Sequence, residues 1–89
     1  MVTTNITIIN KLGLHARAAA KLVKLCATFD ADIDIEKKGQ QVNCKSIMGV
    51  MMLAASCGST VTLTAEGDDA DKAVLAITDL FNRRFDEDE

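Results

Sequence analysis

The sequence predicts an α+β fold, a two-layer open-faced β-sandwich in which three helices cover one face of a four-stranded antiparallel sheet. Two observations support it: hydrophobic periodicities follow the order β-α-β-β-α-β-α, and each predicted strand or helix has a single apolar face. Strands with one apolar face must bury that face against a second layer, and the apolar faces of the helices can form this layer. We expect residues 1–89 to form one domain, because that length suffices for one core and contains no linker.

The first half of the chain contains three predicted strands and one helix. Residues 2–9 alternate between apolar and polar side chains, which is typical of a half-buried strand. The period becomes helical from Ala16 to Phe29, with an apolar stripe of Ala19, Leu22, Val23, Cys26 and Phe29. Two more strands flank a turn at 37–40, where Gly39 can adopt positive φ. Their inward residues are Ile33, Ile35, Val42 and Cys44.

The second half is predicted as helix, strand and helix. Ser46 is a good N-cap for a short helix from Ile47 to about Ser56, and residues 60–66 alternate as a strand. Asp68 and Asp69 are candidate N-caps for the last helix, whose apolar stripe is Ala70, Ala73, Val74, Ile77, Leu80 and Phe81. We expect Arg83 and Arg84 in its last turn, and a frayed, solvated acidic tail at 86–89.

Composition argues against several classes of function. A net charge of −3, three Phe and no Trp or Tyr disfavour nucleic-acid binding. The N-terminal residues have no signal-peptide pattern, and the longest apolar run is about half of the ~20 residues needed to span a bilayer. We therefore expect a cytoplasmic protein without membrane insertion.

Three cysteines and one histidine lack the paired spacing of a zinc site. We expect no metal and no cofactor. The cysteines, Cys26, Cys44 and Cys57, are predicted to be buried free thiols.

His15 is the main candidate for chemistry, because it falls where the loop after the first strand becomes a helix. The first N–H groups of a helix lack intrahelical partners and carry partial positive charge, so an anion on the imidazole would meet them and the Arg17 guanidinium. No Asp, Glu, Ser or Cys lies close in sequence as a triad partner, which weakens a hydrolase interpretation. Spacing alone leaves a phosphoryl acceptor and an ordinary helix cap equally open.

Two longer segments resemble a known family. Residues 10–19, NKLGLHARAA, resemble the active-site signature of HPr, the histidine-containing phosphocarrier family of the bacterial phosphotransferase system. Residues 42–53, VNCKSIMGVMML, resemble the serine-phosphorylation segment of that family. The two motifs have the right order and separation, and the resemblance extends over essentially the whole chain.

The resemblance implies a carrier rather than an enzyme. His15 would accept a phosphoryl group on Nδ1 from the phosphoenolpyruvate-dependent enzyme I and donate it to enzyme IIA acceptors, while Arg17 steadies the group. Ser46 would be the regulatory site of an ATP-dependent HPr serine kinase/phosphorylase. The second segment favours the sugar-type carrier over the nitrogen-related branch. One departure, Ala18 where the family usually has proline, leaves the placement of Arg17 open.

Residues 47–53 are apolar all round, more than a short helix needs for one buried face. With Val50 and Leu53 on the core side, the remaining apolar residues are either additional core or an exposed docking patch beside His15. That predicted patch consists of Ile47, Met48 and Met51, with Lys21 and Lys24, together with Arg17 and Lys45, as a basic rim.

The basic face and Ser46 also have ordinary interpretations, a solvated surface and a plain N-cap. An alternative function therefore stays open. It is a regulatory module that docks without transferring phosphate, in which Ser46 phosphorylation is the switch and His15 only a cap.

Overall fold

The computed structural model describes residues 1–87 and confirms the predicted α+β sandwich. The elements are β1 (Val2–Thr7), α1 (Ala16–Cys26), β2 (Asp32–Lys37), β3 (Gln40–Asn43), α2 (Ile47–Met52), β4 (Thr60–Glu66), α3 (Ala70–Asn82) and a 3-10 turn (Arg84–Asp86). Residues 88 and 89, which the acidic-tail prediction includes, lie outside the described part.

The sheet has the strand order β1-β4-β2-β3, and all three pairings are antiparallel. Alternation along each strand turns one set of side chains to the helices: Ile6, Ile33, Ile35, Val61, Leu63 and Ala65 are buried. Thr3, Asn5, Thr7 and Thr60 lie exposed on the other face. Strand periodicity in the sequence therefore identified the core face of the sheet correctly.

The helices bury most of the predicted stripes against this face, although Val23 and Phe29 of the α1 stripe are only partly buried. In α1 the fully buried residues include Ala18, Ala19, Leu22 and Cys26, and every stripe residue predicted for α3 is buried. Val50 and Leu53 are the core residues of α2 and its C-cap, as expected.

The predicted helix ends were less accurate. α1 ends at Cys26 rather than Phe29, and α2 ends at Met52 rather than Ser56, because Ala54 has a φ of +50° that a helix cannot continue through. α3 ends at Asn82, so Arg83 is its C-cap rather than a last-turn residue. Arg83 pairs with the carboxylates of Asp79 and Asp86, at 2.8 and 2.7 Å.

Asp69 occupies the predicted N-cap position of α3, but its carboxylate does not cap that helix. It accepts hydrogen bonds from the backbone N–H groups of Asp30 and Ala31, at 2.9 and 2.8 Å. The bond from Asp30 is the main reason why the pKa of Asp69 lies below its ordinary value of 3.8. Asp69 thus fastens the loop after α1 to the start of α3.

The thiols are free as predicted, and Cys26 and Cys44 are buried. The prediction is wrong for Cys57, which is exposed because it lies in the turn at 56–59 beside Gly58, whose φ is +90°. No helix in residues 1–87 has the length and apolarity needed to cross a membrane.

Candidate functional site

His15 is the N-cap residue of α1, at the entrance to an 11-residue helix. Its backbone is extended, with φ −73° and ψ 178°, and its carbonyl accepts the first helical hydrogen bond from Ala19 at 2.8 Å. The imidazole does not cap the helix, and 28% of its side chain is exposed. It is therefore available to a partner beside the unpaired N–H groups that begin α1.

A close backbone approach fixes the loop that carries His15. Gly13 has a φ of +65°, and a Cβ built there would come within 2.5 Å of the Ala55 carbonyl oxygen. The next residue, Leu14, donates its N–H to the same oxygen at 2.9 Å. The loop before α1 is thus held against the loop after α2.

Glu87 is the principal partner of His15, and this contact was not predicted from the sequence. One carboxylate oxygen, Oε2, contacts Nε2 of His15, and the other accepts from Nδ2 of Asn10 at 3.0 Å. Asn10 is itself fully buried and also donates to the Gly13 carbonyl at 2.8 Å. Glu87 is therefore tied to the histidine and to the loop that holds it.

Burial by itself raises the pKa of Glu87, but the hydrogen bonds from Asn10 and His15 and the nearby positive charge outweigh it. The net result is a pKa below the ordinary value of 4.5. Because the ionised form is the one stabilised, this contact supports the fold above about pH 4.5 and is lost as the pH falls through the lowered pKa.

The path of the C-terminal segment corrects the prediction of a frayed, solvated tail for residues 86 and 87. Phe85 is fully buried and its ring packs edge-on against Phe81, with centroids 4.8 Å apart. Three consecutive residues, Arg84, Phe85 and Asp86, have φ values of 56°, 55° and 61°. This left-handed turn reverses the chain after α3 and returns Glu87 to His15.

The predicted basic residues divide between two roles. Nζ of Lys21 donates to the Phe85 carbonyl at 2.6 Å, so Lys21 helps to hold the C-terminal segment. Lys24 is exposed and lines a groove between α1 and the end of α3. Lys45 is half-buried and bonded to the Phe29 carbonyl at 2.8 Å, which makes it a structural residue here.

An open depression of about 800 Å³ surrounds His15. Its lining is basic on one side and acidic on the other: Lys11, Leu12, His15, Ala16, Arg17, Lys21, Asp86 and Glu87. Arg17 is exposed in the first turn of α1, while Ala18 is fully buried beneath it. Arg17, whose placement Ala18 left open in the sequence analysis, therefore lines the same depression as His15.

Ser46 is the N-cap of α2, and its Oγ accepts a hydrogen bond from the Gly49 N–H at 3.2 Å. The residue is exposed. The N-cap prediction is therefore confirmed, and the hydroxyl lies on the surface.

The apolar part of the predicted docking patch is exposed in its entirety. Ile47, Met48 and Met51 are 40%, 70% and 42% exposed, and Met52 is exposed too. All three methionines of α2 thus lie on the surface rather than in the core. An apolar side chain from the other loop, Leu12, is also exposed and lines the depression around His15. Apolar surface concentrated in this way is typical of an interaction site, so docking at this patch stays a prediction.

The comparisons with known proteins agree with this geometry. The family model for the PTS HPr component phosphorylation site matches residues 2–83. The chain belongs to the HPr family of phosphocarriers. It is 53% identical to the phosphocarrier protein HPr of Cupriavidus necator, with full coverage of both chains. It is 48% identical over 82 residues to the phosphocarrier protein NPr of Shewanella violacea, covering 92% of this chain and 90% of the relative.

Solved structures of the HPr family share the fold. HPr from Thermoanaerobacter tengcongensis superposes with a TM-score of 0.97 at 46% identity, covering both chains completely. The architecture predicted from periodicity is therefore the family architecture.

Proposed function

We propose that this HPr-family chain carries a phosphoryl group on His15, accepting it from enzyme I and donating it to enzyme IIA proteins. One observation is central: a partly exposed imidazole at the N-terminus of α1, with one ring nitrogen already engaged. A surface carrier needs an accessible nucleophile that two different proteins can reach in turn, and His15 meets that requirement.

The contact with Glu87 supports Nδ1 as the nucleophilic nitrogen. In the neutral imidazole one nitrogen carries the proton and the other an unshared pair. A carboxylate at Nε2 favours the tautomer protonated there, because it accepts that hydrogen bond. The free pair is then on Nδ1, which would attack phosphorus as the bond to the donor breaks.

The surroundings suit a phosphorylated imidazole. The positive end of the α1 dipole, the exposed Arg17 and the cation of Lys21 can balance the dianion. Glu87 would stay on the opposite nitrogen, where its negative charge stabilises the cationic character of the phosphorylated ring. The group is thereby held without a second nucleophile or a closed cavity.

Docking would use the exposed α2 patch of Ile47, Met48 and Met51. Methionine side chains adapt to surfaces of different shape, which a carrier with several partners requires. Arg17 and Lys24 are exposed cations and would favour partners with acidic rims. The roles of Lys21 and Lys24 in docking stay predictions.

The first prediction concerns the phosphoryl group itself. Incubation with phosphoenolpyruvate and enzyme I should give a phosphoprotein whose phosphate is labile in acid and stable in base. Because His15 is the only histidine of the chain, a His15→Gln variant should lose this phosphate completely. Phosphate content is measured by intact mass before and after acid treatment.

The folded state of the His15→Gln protein is checked by circular dichroism. An acid-labile phosphate on the variant would contradict the role of His15. A wild-type protein that binds enzyme I without ever being phosphorylated would favour the alternative, a regulatory module that only docks.

We further propose that Ser46 is the target of an HPr serine kinase/phosphorylase. Its hydroxyl is exposed at the start of α2, immediately before the patch. A phosphate there would sit favourably at the helix start, so the fold would be kept. It would also place about two negative charges beside Ile47 and Met48, facing the acidic rim of the donor.

The second prediction tests that effect of charge. Ser46→Asp is expected to lower kcat/KM for phosphorylation by enzyme I about tenfold, or about 1.4 kcal/mol, through repulsion at the docking surface. Ser46→Asn is the matched control, because asparagine caps a helix as well as aspartate does but adds no charge. Equal rates for the Asp and Asn variants would refute a charge effect at Ser46.

A further inference from the structure

Two buried cysteines face each other at the end of α1 opposite to His15. Cys26 is the last residue of α1, and Cys44 follows β3 directly. Their Sγ atoms are 3.2 Å apart, closer than the about 3.5–4.0 Å at which even two carbon atoms make their best contact. Both side chains are fully buried.

The backbone around this pair is already fixed in place. The Cys44 N–H donates to the Ile33 carbonyl at 2.8 Å, and Cys26 belongs to the last turn of a helix. The neighbouring residue Lys45 bridges the same two segments through the Phe29 carbonyl at 2.8 Å. A disulfide of about 2.0 Å needs the sulfurs to approach by only about 1.2 Å, which side-chain torsions can supply.

We propose that Cys26 and Cys44 are an oxidation site at which a hydroperoxide forms an intramolecular disulfide within the folded protein. The proposal is independent of phosphoryl transfer, since neither sulfur contacts His15 or Ser46. Its substrate class is a small peroxide, and its product is a covalent link between α1 and the segment two residues before Ser46.

The chemistry balances with one peroxide per disulfide. One thiol, as its thiolate, attacks a peroxide oxygen, so the O–O bond breaks and a sulfenic acid forms with release of water or an alcohol. The second sulfur attacks the sulfenic sulfur, the S–O bond breaks, and hydroxide leaves as water with the second thiol proton. Each sulfur gives up one electron, and the peroxide accepts both.

Burial sets the conditions under which this reaction occurs. The hydrogen bond with Cys26, burial and nearby negative charge all raise the pKa of the Cys44 thiol, so the thiolate is scarce in the closed protein. The route to the sulfurs is opening of β3, an edge strand of four residues paired with β2 alone. The exposed Cys57 therefore reacts first, and the pair reacts at the rate of opening.

The experiment uses a Cys57→Ser protein, which removes the exposed thiol and with it intermolecular disulfides. After exposure to hydrogen peroxide, we expect a mass lower by two hydrogen atoms and complete loss of alkylation in denaturant. Digestion should give one cross-linked peptide pair containing both cysteines. The oxidised protein should have a Tm higher by about 5 °C or more, and a reductant should reverse the change.

Cys26→Ser in the same background is the matched control and should form no cross-link. The opening of β3 is timed by amide hydrogen exchange in the untreated Cys57→Ser protein. The proposal would be overturned if both thiols stayed reduced in peroxide for longer than the β3 amides need to exchange fully. Oxidation to sulfinic acids without a disulfide, or a disulfide that forms only in denaturant, would also overturn it.

Discussion

Replacing Gly13 by alanine is expected to destabilise the protein by about 3 kcal/mol or more and to impair phosphoryl acceptance. The added Cβ would lie 2.5 Å from the Ala55 oxygen and 2.7 Å from Cα of Ser56, both backbone atoms that cannot rotate away. The left-handed φ of +65° adds about 1–2 kcal/mol for any residue with a Cβ. Overpacking typically adds about 1–3 kcal/mol more.

The displaced oxygen is the one that binds the Leu14 N–H, so relief of the clash shifts the residue directly before His15. A displacement of about 1 Å at a reacting group can lower a rate about 100-fold, so the acceptance rate should fall even where the variant is fully folded. Urea unfolding and single-turnover phosphorylation by enzyme I measure the two effects.

Gly39→Ala is the matched control for this substitution. Gly39 also has a left-handed φ, +83°, but nothing lies within 4 Å of its Cβ direction. This variant should lose only about 1–2 kcal/mol and keep the wild-type phosphorylation rate. Equal losses of stability at the two positions would contradict the role assigned to the close approach.

Replacing Phe85 by alanine is expected to lower the free energy of unfolding by about 3–5 kcal/mol, the usual range for a buried phenylalanine. The ring is the anchor of the left-handed turn at 84–86, and it packs edge-on against Phe81. Without it, the unfavourable φ values of that turn are no longer held. The hydrogen bond from Lys21 to the carbonyl of residue 85 and the one from His15 to Glu87 should then be lost.

Thermal or urea unfolding gives the loss of stability, and the {1H}-15N heteronuclear NOE of residues 84–87 reports release of the segment on the picosecond–nanosecond timescale. Leu75→Ala is the control, because Leu75 is a large apolar residue of α3 that is 72% exposed. It should change stability by no more than about 0.5 kcal/mol. A rigid 84–87 segment in the Phe85→Ala protein would show that the ring is not its anchor.

Strand positions could be predicted from the sequence because burial of one sheet face requires an apolar side chain at every second residue. This alternation of apolar and polar residues is visible within a single segment of the chain. In the pairing of β1 with β4, apolar residues of the buried face lie opposite each other, as Ile6 and Val61 do. Helix ends were harder to predict. The α2 region ends at Ala54, whose positive φ could not be expected because alanine rarely adopts that conformation.

The candidate site, too, could be predicted from the sequence only in part. Spacing placed His15 and Ser46 at two helix starts, whereas the roles predicted for His15, Arg17 and Ser46 came from the resemblance of residues 10–19 and 42–53 to the HPr family. Glu87 was not predicted, because its return to His15 depends on a turn of Arg84, Phe85 and Asp86, of which only aspartate is common in left-handed backbone. The cue available was Phe85 itself, a large apolar residue in an otherwise charged end. Buried Asn10 gave no signal of its contact with Glu87 either, since the two residues are 77 positions apart in the sequence.

The central position of β4 affects when this protein can fold during synthesis. Among residues 1–87, β1 pairs in the sheet with β4 alone, and the nearest such pair in sequence, Thr7 with Thr60, is 53 residues apart. A ribosome adding about 5–20 residues per second therefore completes the first three strands about 1–5 s before the strand that joins them. Until residue 66 has emerged, α1 has no completed sheet to pack on, and the nascent chain can keep its apolar residues from water only by transient collapse or by binding a chaperone.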